Sequence, residues 1–336
     1  LIVFLSVVVF LITSVQNYAF AREIVVDANS SSADFGSIQE AVNNSSSGDA
    51  ILIYPGFYNE SVDIGVQNIS VFSISENPKD IIIRALKLSA NNITVSGFSI
   101  RENLVLKGRP TDEVRYGKIE NCTVKNNILE SGIHAYQCYN STIEKNVILN
   151  SGIFISIPGA NSNFTISDNL IINGDISVRD GSYNCVLLNN TLLNGGIGVA
   201  QGPGCKILGN YISNGIDNGY GIVFSESSSN EVENNTIVNC INGIFLIQFT
   251  RSNIIQNNTL KSNDRGIYIG NSGGNLFSNN DISKNNIGIL VGGLTMEQAG
   301  ANSILNNTIS SNNIGISFEG DSSGNTVINN KVELNK

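Results

Sequence analysis

Charged side chains that could act together in catalysis are sparse, and their densest group lies in one short stretch. Asp168, Asp175, Arg179 and Asp180 fall within a single repeat of the chain. Paired carboxylates would serve the hydrolysis of a glycosidic bond, whereas a carboxylate-bound Ca²⁺ with a basic residue would serve proton abstraction in a lyase. These four residues are the catalytic candidates, although a solvated turn would contain the same residue types.

Aromatic rings recur at one position, directly after a Gly-Ile pair. His134, Phe154, Phe245 and Tyr268 occupy this position, and Tyr136 stands two residues beyond His134. Residues two apart on a strand share a face, so these side chains should point outward together. Exposed rings in a row on a flat sheet are what stacking against sugar rings requires, and we take the five residues as carbohydrate-binding candidates. The alternative is that the rings pack against each other or against loops.

An internal repeat supplies the elements that would position these side chains. The pattern apolar-x-x-Asn-x-apolar occurs ten times, with a mean spacing of roughly 23 residues, which is a solenoid-sized period. The repeat asparagines are Asn127, Asn146, Asn169, Asn190, Asn210, Asn235, Asn258, Asn280, Asn307 and Asn330. A second strand, usually opened by Gly-Ile, follows this pattern and has another apolar residue two positions after the Ile.

Short strands with one fixed period and turns between them predict stacked coils. Each coil then contributes equivalent strands to parallel sheets ~4.8 Å apart, with one apolar column inside. In-register asparagines can hydrogen-bond to the copies above and below, and Asn also tolerates the left-handed backbone of sharp corners. We therefore predict an all-β, right-handed parallel β-helix of about 12 coils, the hand following from the general preference of parallel crossovers.

The remaining segments predict the domain organisation. Residues 22–105 are the N-terminal cap and first coils, with a short amphipathic helix inside Asp34 to Asn43 that covers the open end of the core. Residues 106–118 are a charged surface loop, and 119–336 are the β-helix repeats. No capping helix is visible after the last repeat, so we expect a further domain or a partner at the C-terminal end.

Composition and the first residues bear on location and partners. The formal net charge is −9 without a basic run, which excludes a nucleic-acid partner. Leu1 to Val15 form an apolar run, and Ala19-Phe20-Ala21 has the small-x-small form of a signal peptidase site, so 1–21 is the predicted signal peptide. The apolar run is shorter than the ~20 residues of a bilayer span. We expect a secreted, cell-surface or periplasmic protein with no membrane span after cleavage.

Cysteine usage does not indicate a disulfide framework. The five cysteines are odd in number and lack CxxC spacing. Cys122, Cys185 and Cys205 each stand five residues before a repeat Asn, where later coils have Asn, so we interpret them as substitutions in an inward ladder. Cys185 and Cys205 fall in successive coils, a separation that a disulfide could span.

Two family resemblances follow from these residues. The entry cap of the pectin-lyase-like right-handed β-helix superfamily is similar to the segment DFGSIQEAV from Asp34 to Val42, with Gly48-Asp49, Pro55-Gly56 and Tyr58-Asn59-Glu60 after it. The coils from Asn121 onward resemble NosD-type repeats, a family that includes a periplasmic copper-binding accessory protein and similar repeats in archaeal and bacterial surface proteins. The superfamily contains lyases, hydrolases, epimerases and non-catalytic surface proteins, so the resemblance implies the fold and leaves the activity open.

These observations favour an exported β-helix that interacts with carbohydrate or serves as a scaffold over an enzyme. A polysaccharide lyase or hydrolase is one alternative, and a NosD-like copper accessory protein is the other. The chain offers only one His and one Met as soft copper ligands. We predict no metal site and no cofactor, with Ca²⁺ expected if the protein is a lyase and copper if it is NosD-like. The expected partner is a polysaccharide or a cell-surface glycan.

Overall fold

The computed structural model describes most of the chain after the predicted leader. The described residues are 21–109, 117–157, 160–215, 219–292 and 299–336. The predicted signal peptide, except for its last residue, and most of the predicted loop 106–118 therefore lie outside the described residues.

One face of the molecule is a long parallel sheet, here called sheet 1. It takes one strand from each coil, and every pairing in it is parallel. Its strands are Glu23–Val26, Ala50–Ile53, Ser70–Ser73, Thr94–Ser96, Thr123–Lys125, Thr142–Glu144, Thr165–Ser167, Val186–Leu188, Lys206–Leu208, Glu231–Glu233, Ile254–Gln256, Leu276–Ser278, Ser303–Leu305 and Thr326–Ile328.

Two further faces, sheets 2 and 3, are joined by the long strands Gly56–Ile64 and Ile81–Leu88. Sheet 2 consists of Ser99–Ile100, Ile128–Leu129, Val147–Leu149, Leu170–Ile172, Thr191–Leu193, Tyr211–Ser213, Thr236–Val238, Thr259–Lys261, Asp281–Ser283, Thr308–Ser310 and Lys331–Glu333. Sheet 3 consists of Leu104–Leu106, Ile133–Tyr136, Ile153–Ser156, Ile176–Arg179, Ile197–Ala200, Tyr220–Ser225, Asn242–Ile247, Arg265–Ile269, Ile287–Gly292 and Ile314–Glu319. Two short pairs complete the strands: Ile119–Glu120 with Cys138–Tyr139, and Ala160–Asn161 with Ser182–Tyr183.

The predicted interior column is confirmed by the strand register. Val124 lies opposite Ile143, and Ile143 lies opposite Ile166, with all three side chains fully buried. Equivalent apolar residues therefore stack coil upon coil. Full burial of a side chain of this size stabilises the fold by about 1.5–3 kcal/mol.

The predicted asparagine ladder is also confirmed, but its backbone conformation differs from the expectation. The Nδ2 of Asn146 donates to Val124 O and to Asn169 Oδ1, each at 3.0 Å, and the Asn146 backbone N–H donates to the same Oδ1 at 3.0 Å. The left-handed residue is the one before each ladder Asn, as at Lys145 (φ 54°) and Asp168 (φ 56°). The preceding residue turns the corner, which leaves the ladder Asn free to point into the core.

Two more inward ladders run through the later coils. One consists of Asn230, Asn253, Asn275, Asn302 and Asn325, and the other of Asn263, Asn285, Asn312 and Asn335. Cys122, Cys185 and Cys205 occupy the first of these positions in earlier coils, as predicted. Cys205 is fully buried and its backbone N–H donates to Asn230 Oδ1 at 2.8 Å, so the ladder begins directly above it.

The N-terminal end is covered by the helix Ile38–Asn43, which is shorter than the predicted helical stretch. Its inner face buries Ile38, Ala41 and Val42, as the amphipathic pattern indicated. Glu60 closes the helix N-terminus by accepting from Ser37 Oγ (2.8 Å), Ile38 N (2.9 Å) and Gln39 N (3.0 Å). A carboxylate here satisfies donors that a helix leaves free and opposes the positive end of its dipole. One turn of 3-10 helix, Pro78–Asp80, lies before Ile81–Leu88.

The C-terminal end shows apolar side chains at the surface. Leu334 is 80% exposed, and Val327, Ile328 and Val332 are also exposed in the last coil. The expectation that a domain or partner covers this end stays a prediction.

Candidate functional site

One column of outward-facing residues on sheet 3 is in strict register from coil to coil. It runs through His134, Phe154, Ser177, Gly198, Val223, Phe245, Tyr268 and Leu290, one residue from each successive coil. Rings therefore lie on both sides of Ser177, Gly198 and Val223, which are smaller. The candidate site lies where the side chains are small.

The expectation that Phe245 and Tyr268 are exposed is wrong. They are only 6% and 9% exposed, because their rings stack at 4.7 Å between centroids and pack beside Leu290. Tyr220 stacks on the other side of Phe245 at 5.2 Å, and the Arg265 guanidinium lies 5.5 Å from the Tyr268 ring centroid. Successive coils hold these rings face to face, so their faces are covered and a sugar could reach only their edges.

His134, Tyr136 and Phe154 form a second, more accessible group. All three are half-buried, and the His134 ring stacks on Phe154 at 4.9 Å and lies 6.3 Å from Tyr136. Burial lowers the pKa of His134, because it disfavours the charged imidazolium. The exposed side of Phe154 is the ring surface that this group offers to the small-residue stretch.

Ser177 and Gly198 form the floor of a depression, here called the outer-face groove. Phe154 closes one end and Val223 the other, three coil spacings apart, or ~14 Å. Two adjoining cavities of ≈ 220 Å³ each lie in it, and Arg179 lines both. The groove runs along the helix axis, with an aromatic ring at one end and polar groups at its sides.

Two of the four catalytic candidates line this groove. Arg179 follows the floor residue Ser177 on the same strand, and its Nε donates to Ser177 Oγ at 2.6 Å. Asp175 lies at the opposite end of that strand and accepts from Gly196 N at 2.7 Å. The hydrogen bond from Nε fixes the guanidinium, whose other nitrogen atoms can donate to a ligand in the cavity.

The other two candidates lie elsewhere. Asp168 occupies the left-handed corner between sheets 1 and 2, and Asp180 occupies the corner after sheet 3, where it accepts from Ser156 Oγ at 2.6 Å. Asp175 and Asp180 flank a four-residue strand, which separates their backbones by ~16 Å. Glycoside hydrolysis needs two carboxyl groups roughly 5–9.5 Å apart. Asp175 and Asp180 therefore do not form a catalytic pair.

Soft-metal ligands are not clustered in the described residues. No group of three or more His, Cys, Asp or Glu side chains is placed to hold a metal ion within the described ranges. The five cysteines are buried free thiols. The hydrogen bond with Cys185 is the larger cause of the raised pKa of Cys205, and burial is the second. Burial also raises the pKa of Cys240.

Sequence reasoning missed the residues that make the groove. Ser177, Gly198 and Val223 were not candidates because small or aliphatic residues carry no chemical signal alone. The available signal was the interruption of the aromatic column: the position after Gly-Ile is Gly198 and then Val223 between coils that have rings. In a stacked fold, a small residue between large ones makes a depression.

Comparison with known proteins identifies the family. Residues 110–259 and 176–332 match the family described as "Right handed beta helix region". These matches span more than half of the chain, which therefore belongs to the right-handed β-helix family, as predicted. No curated protein sequence matches the chain. The NosD-type resemblance of the repeats stays a prediction.

Solved structures share this fold at low sequence identity. The catalytic unit of a thermostable GH87 α-1,3-glucanase from Streptomyces thermodiastaticus is similar with a TM-score of 0.63 and 15% identity, covering 89% of this chain and 67% of that chain. The A-module of the mannuronan C-5 epimerase AlgE6 from Azotobacter vinelandii has a TM-score of 0.57 and 15% identity, covering 89% and 95%. Alginate lyase AlyF-OU02 in complex with G6 has a TM-score of 0.56 and 14% identity, covering 94% and 89%.

Within the part of the chain that the structure describes, no helix is long and apolar enough to cross a bilayer.

Proposed function

We propose that this protein is an exported polysaccharide-binding β-helix that holds a glycan strand in the outer-face groove. The observation that carries the proposal is the arrangement of Phe154, Arg179 and Asp175 around a floor of Ser177 and Gly198. An aromatic end wall, a positioned guanidinium and a carboxylate are the groups that a sugar ring with hydroxyl substituents would use. The groove runs along the helix axis, so a linear polymer can extend beyond it at both ends.

Each of the three groove side chains has a different role in the proposed binding. Phe154 offers a ring face to the apolar side of a pyranose, and Arg179 donates paired hydrogen bonds to hydroxyl or carboxylate oxygens. Asp175 accepts from a sugar hydroxyl while it keeps its bond to Gly196 N. The groove thus places a stacking surface and polar groups around one bound sugar.

Export is the second part of the proposal. The apolar run from Leu1 to Val15 and the Ala19-Phe20-Ala21 site support a cleaved leader and a secreted, surface or periplasmic location. The neighbours of known structure are proteins whose names include mannuronan, alginate and α-1,3-glucan chemistry. Polysaccharide recognition is therefore an activity that this architecture supports.

The test is a glycan-array screen of the chain from Arg22 to Lys336, followed by calorimetry with the glycans that bind. We expect Arg179→Ala to weaken binding at least ~10-fold, because a hydrogen bond to a charged group contributes about 1.5–3 kcal/mol. We expect Phe154→Ala to weaken binding by a similar factor, because it removes the ring face on which the sugar stacks. Arg84→Ala is the matched control, since the Arg84 Nε also donates to a serine, Ser61 Oγ, at 2.9 Å on an exposed surface outside the groove.

The same screen decides between the proposal and its alternatives. Binding that persists at full strength in both groove variants would refute the groove as the site. Unsaturated or shortened products in the presence of Ca²⁺ would replace binding by lyase or hydrolase activity. Stoichiometric copper binding without any glycan binding would favour the NosD-like accessory protein.

A further inference from the structure

A second cavity lies on the corner that follows sheet 3, away from the outer-face groove. It has a volume of ≈ 660 Å³, and its lining includes Phe249, Arg251, Gly273, Gly274 and Gly300. Here it is called the corner cavity. Its volume is within the ~300–1,000 Å³ range of small-molecule sites.

Phe249 is unusual for its position in the fold. Its φ is 59°, a left-handed conformation that Phe rarely adopts, and its ring is 51% exposed. The left-handed residues at this corner in the adjacent coils are polar, Glu226 and Asn271. Asn or Gly would fit this backbone better than Phe. Because the ring is only half-buried, its burial stabilises the fold too little to offset the cost of this backbone conformation.

The floor of the corner cavity consists of stacked turns that contain glycine, at Gly273, Gly274 and Gly300. A Cβ on Gly273 would lie 2.4 Å from Gly300 O, so these turns pack too closely for a larger residue. A Cβ on Gly274 would meet nothing within 4 Å, which shows that the space above that turn is open among the described residues. Phe249 and the exposed Arg251 rise beside this floor. The cavity thus combines a ring face, a guanidinium and a flat backbone surface.

We propose that the corner cavity is a second saccharide-binding site, in which a pyranose ring of an oligosaccharide stacks on Phe249. Arg251 donates to the hydroxyl or carboxylate oxygens of the same sugar, and the turn floor accommodates the ring without a clash. This inference rests on the proposed function, because it assumes that the ligand of the protein is a glycan. It adds a site on a different side of the β-helix, so that one polymer or two can be held at two points.

The test uses the chain from Arg22 to Lys336, with alginate and α-1,3-glucan hexasaccharides as the probes, in calorimetry that reports stoichiometry. We expect the unsubstituted chain to bind two hexasaccharides. Phe249→Asn and Phe154→Ala should each bind only one at the original affinity, with at least tenfold weaker affinity at the altered site. Asn favours the left-handed backbone, so Phe249→Asn should unfold at the same or a higher temperature than the unsubstituted chain. Arg251→Gln should weaken the same site.

The matched control is Phe57→Asn, which removes a ring that is 55% exposed and that lies 5.0 Å from the Arg101 guanidinium. This variant should keep both binding events. Two events that persist in Phe249→Asn, or a marked fall in its unfolding temperature, would overturn the inference while leaving the groove intact. A chain that binds neither probe, nor any glycan in the array, would overturn the proposed function and this inference together.

Discussion

The buried asparagine ladder predicts a large stability difference between two asparagines only four residues apart. Asn190 is fully buried, whereas Asn194 is exposed at a left-handed corner (φ 56°). Both belong to amide ladders: Asn190 Nδ2 donates to Asn210 Oδ1 at 3.0 Å, and Asn194 Nδ2 donates to Asn173 Oδ1 at 2.9 Å. Burial is therefore the main difference between them.

The magnitude for Asn190→Ala follows from the groups that lose a partner. Asn190 Oδ1 accepts from the Asn169 backbone N–H at 3.1 Å and from Asn169 Nδ2 at 2.9 Å. Both donors are buried, and each unsatisfied buried donor costs about 1–3 kcal/mol. We expect Asn190→Ala to lower the free energy of unfolding by about 4 kcal/mol. A water molecule that entered the gap would reduce this cost toward the lower end of the range.

The control is Asn194→Gly, because Gly also adopts the left-handed backbone and the groups that lose the exposed amide can bind water instead. Surface changes of this kind stay within about 0.5 kcal/mol. Guanidinium unfolding followed by circular dichroism gives the two values, and hydrogen exchange at the Asn169 amide shows whether the local coil opens. Equal unfolding free energies for the two variants would refute the argument that buried amide ladders hold the coils in register.

Two further predictions concern titration and thiol reactivity. His134 is the only histidine, and burial lowers its pKa. Its contribution to stability should therefore be complete above pH ~6.5, the ordinary pKa of His, and should decrease as the pH falls below it. An NMR titration that gave an ordinary or raised pKa for His134 in the folded chain would contradict this. The five buried thiols should resist Ellman's reagent in the folded chain and react with five equivalents after unfolding; fewer equivalents would reveal a disulfide, with Cys185 and Cys205 as the first pair to examine.

The fold was predictable because its pattern is local and repeated. Residues such as Val124 and Asn127 recur at the same offsets in each coil, and only stacking buries so many equivalent positions at once. The left-handed corner was assigned to the wrong residue. The period alone does not distinguish Asn146 from Lys145 as the residue that turns, because both follow the sheet 1 strand within two positions.

The candidate site was less predictable, since the outer surface depends on contacts between neighbouring coils. Alternation correctly placed Phe245 and Tyr268 on the outside of sheet 3, but Tyr220 and Leu290 then cover them. Spacing in the chain placed Asp168 near Asp175, yet a sheet 2 strand and two corners separate them. Proximity along a solenoid chain does not mean proximity on its surface, because each coil distributes its residues over three faces.

The three faces also differ in what their outward side chains can do. On sheet 1, neighbouring coils pair charges, as Lys206 Nζ does with Glu231 Oε2 at 3.0 Å, which satisfies those groups within the protein. Sheet 3 instead combines stacked rings with a gap at Ser177 and Gly198, which leaves space beside Arg179. The inward residues of that strand, Ile176 and Val178, are fixed by the core and need no help from the outer ones. A β-helix can therefore change its outer-face groove without changing its core, so the same fold accommodates different ligands.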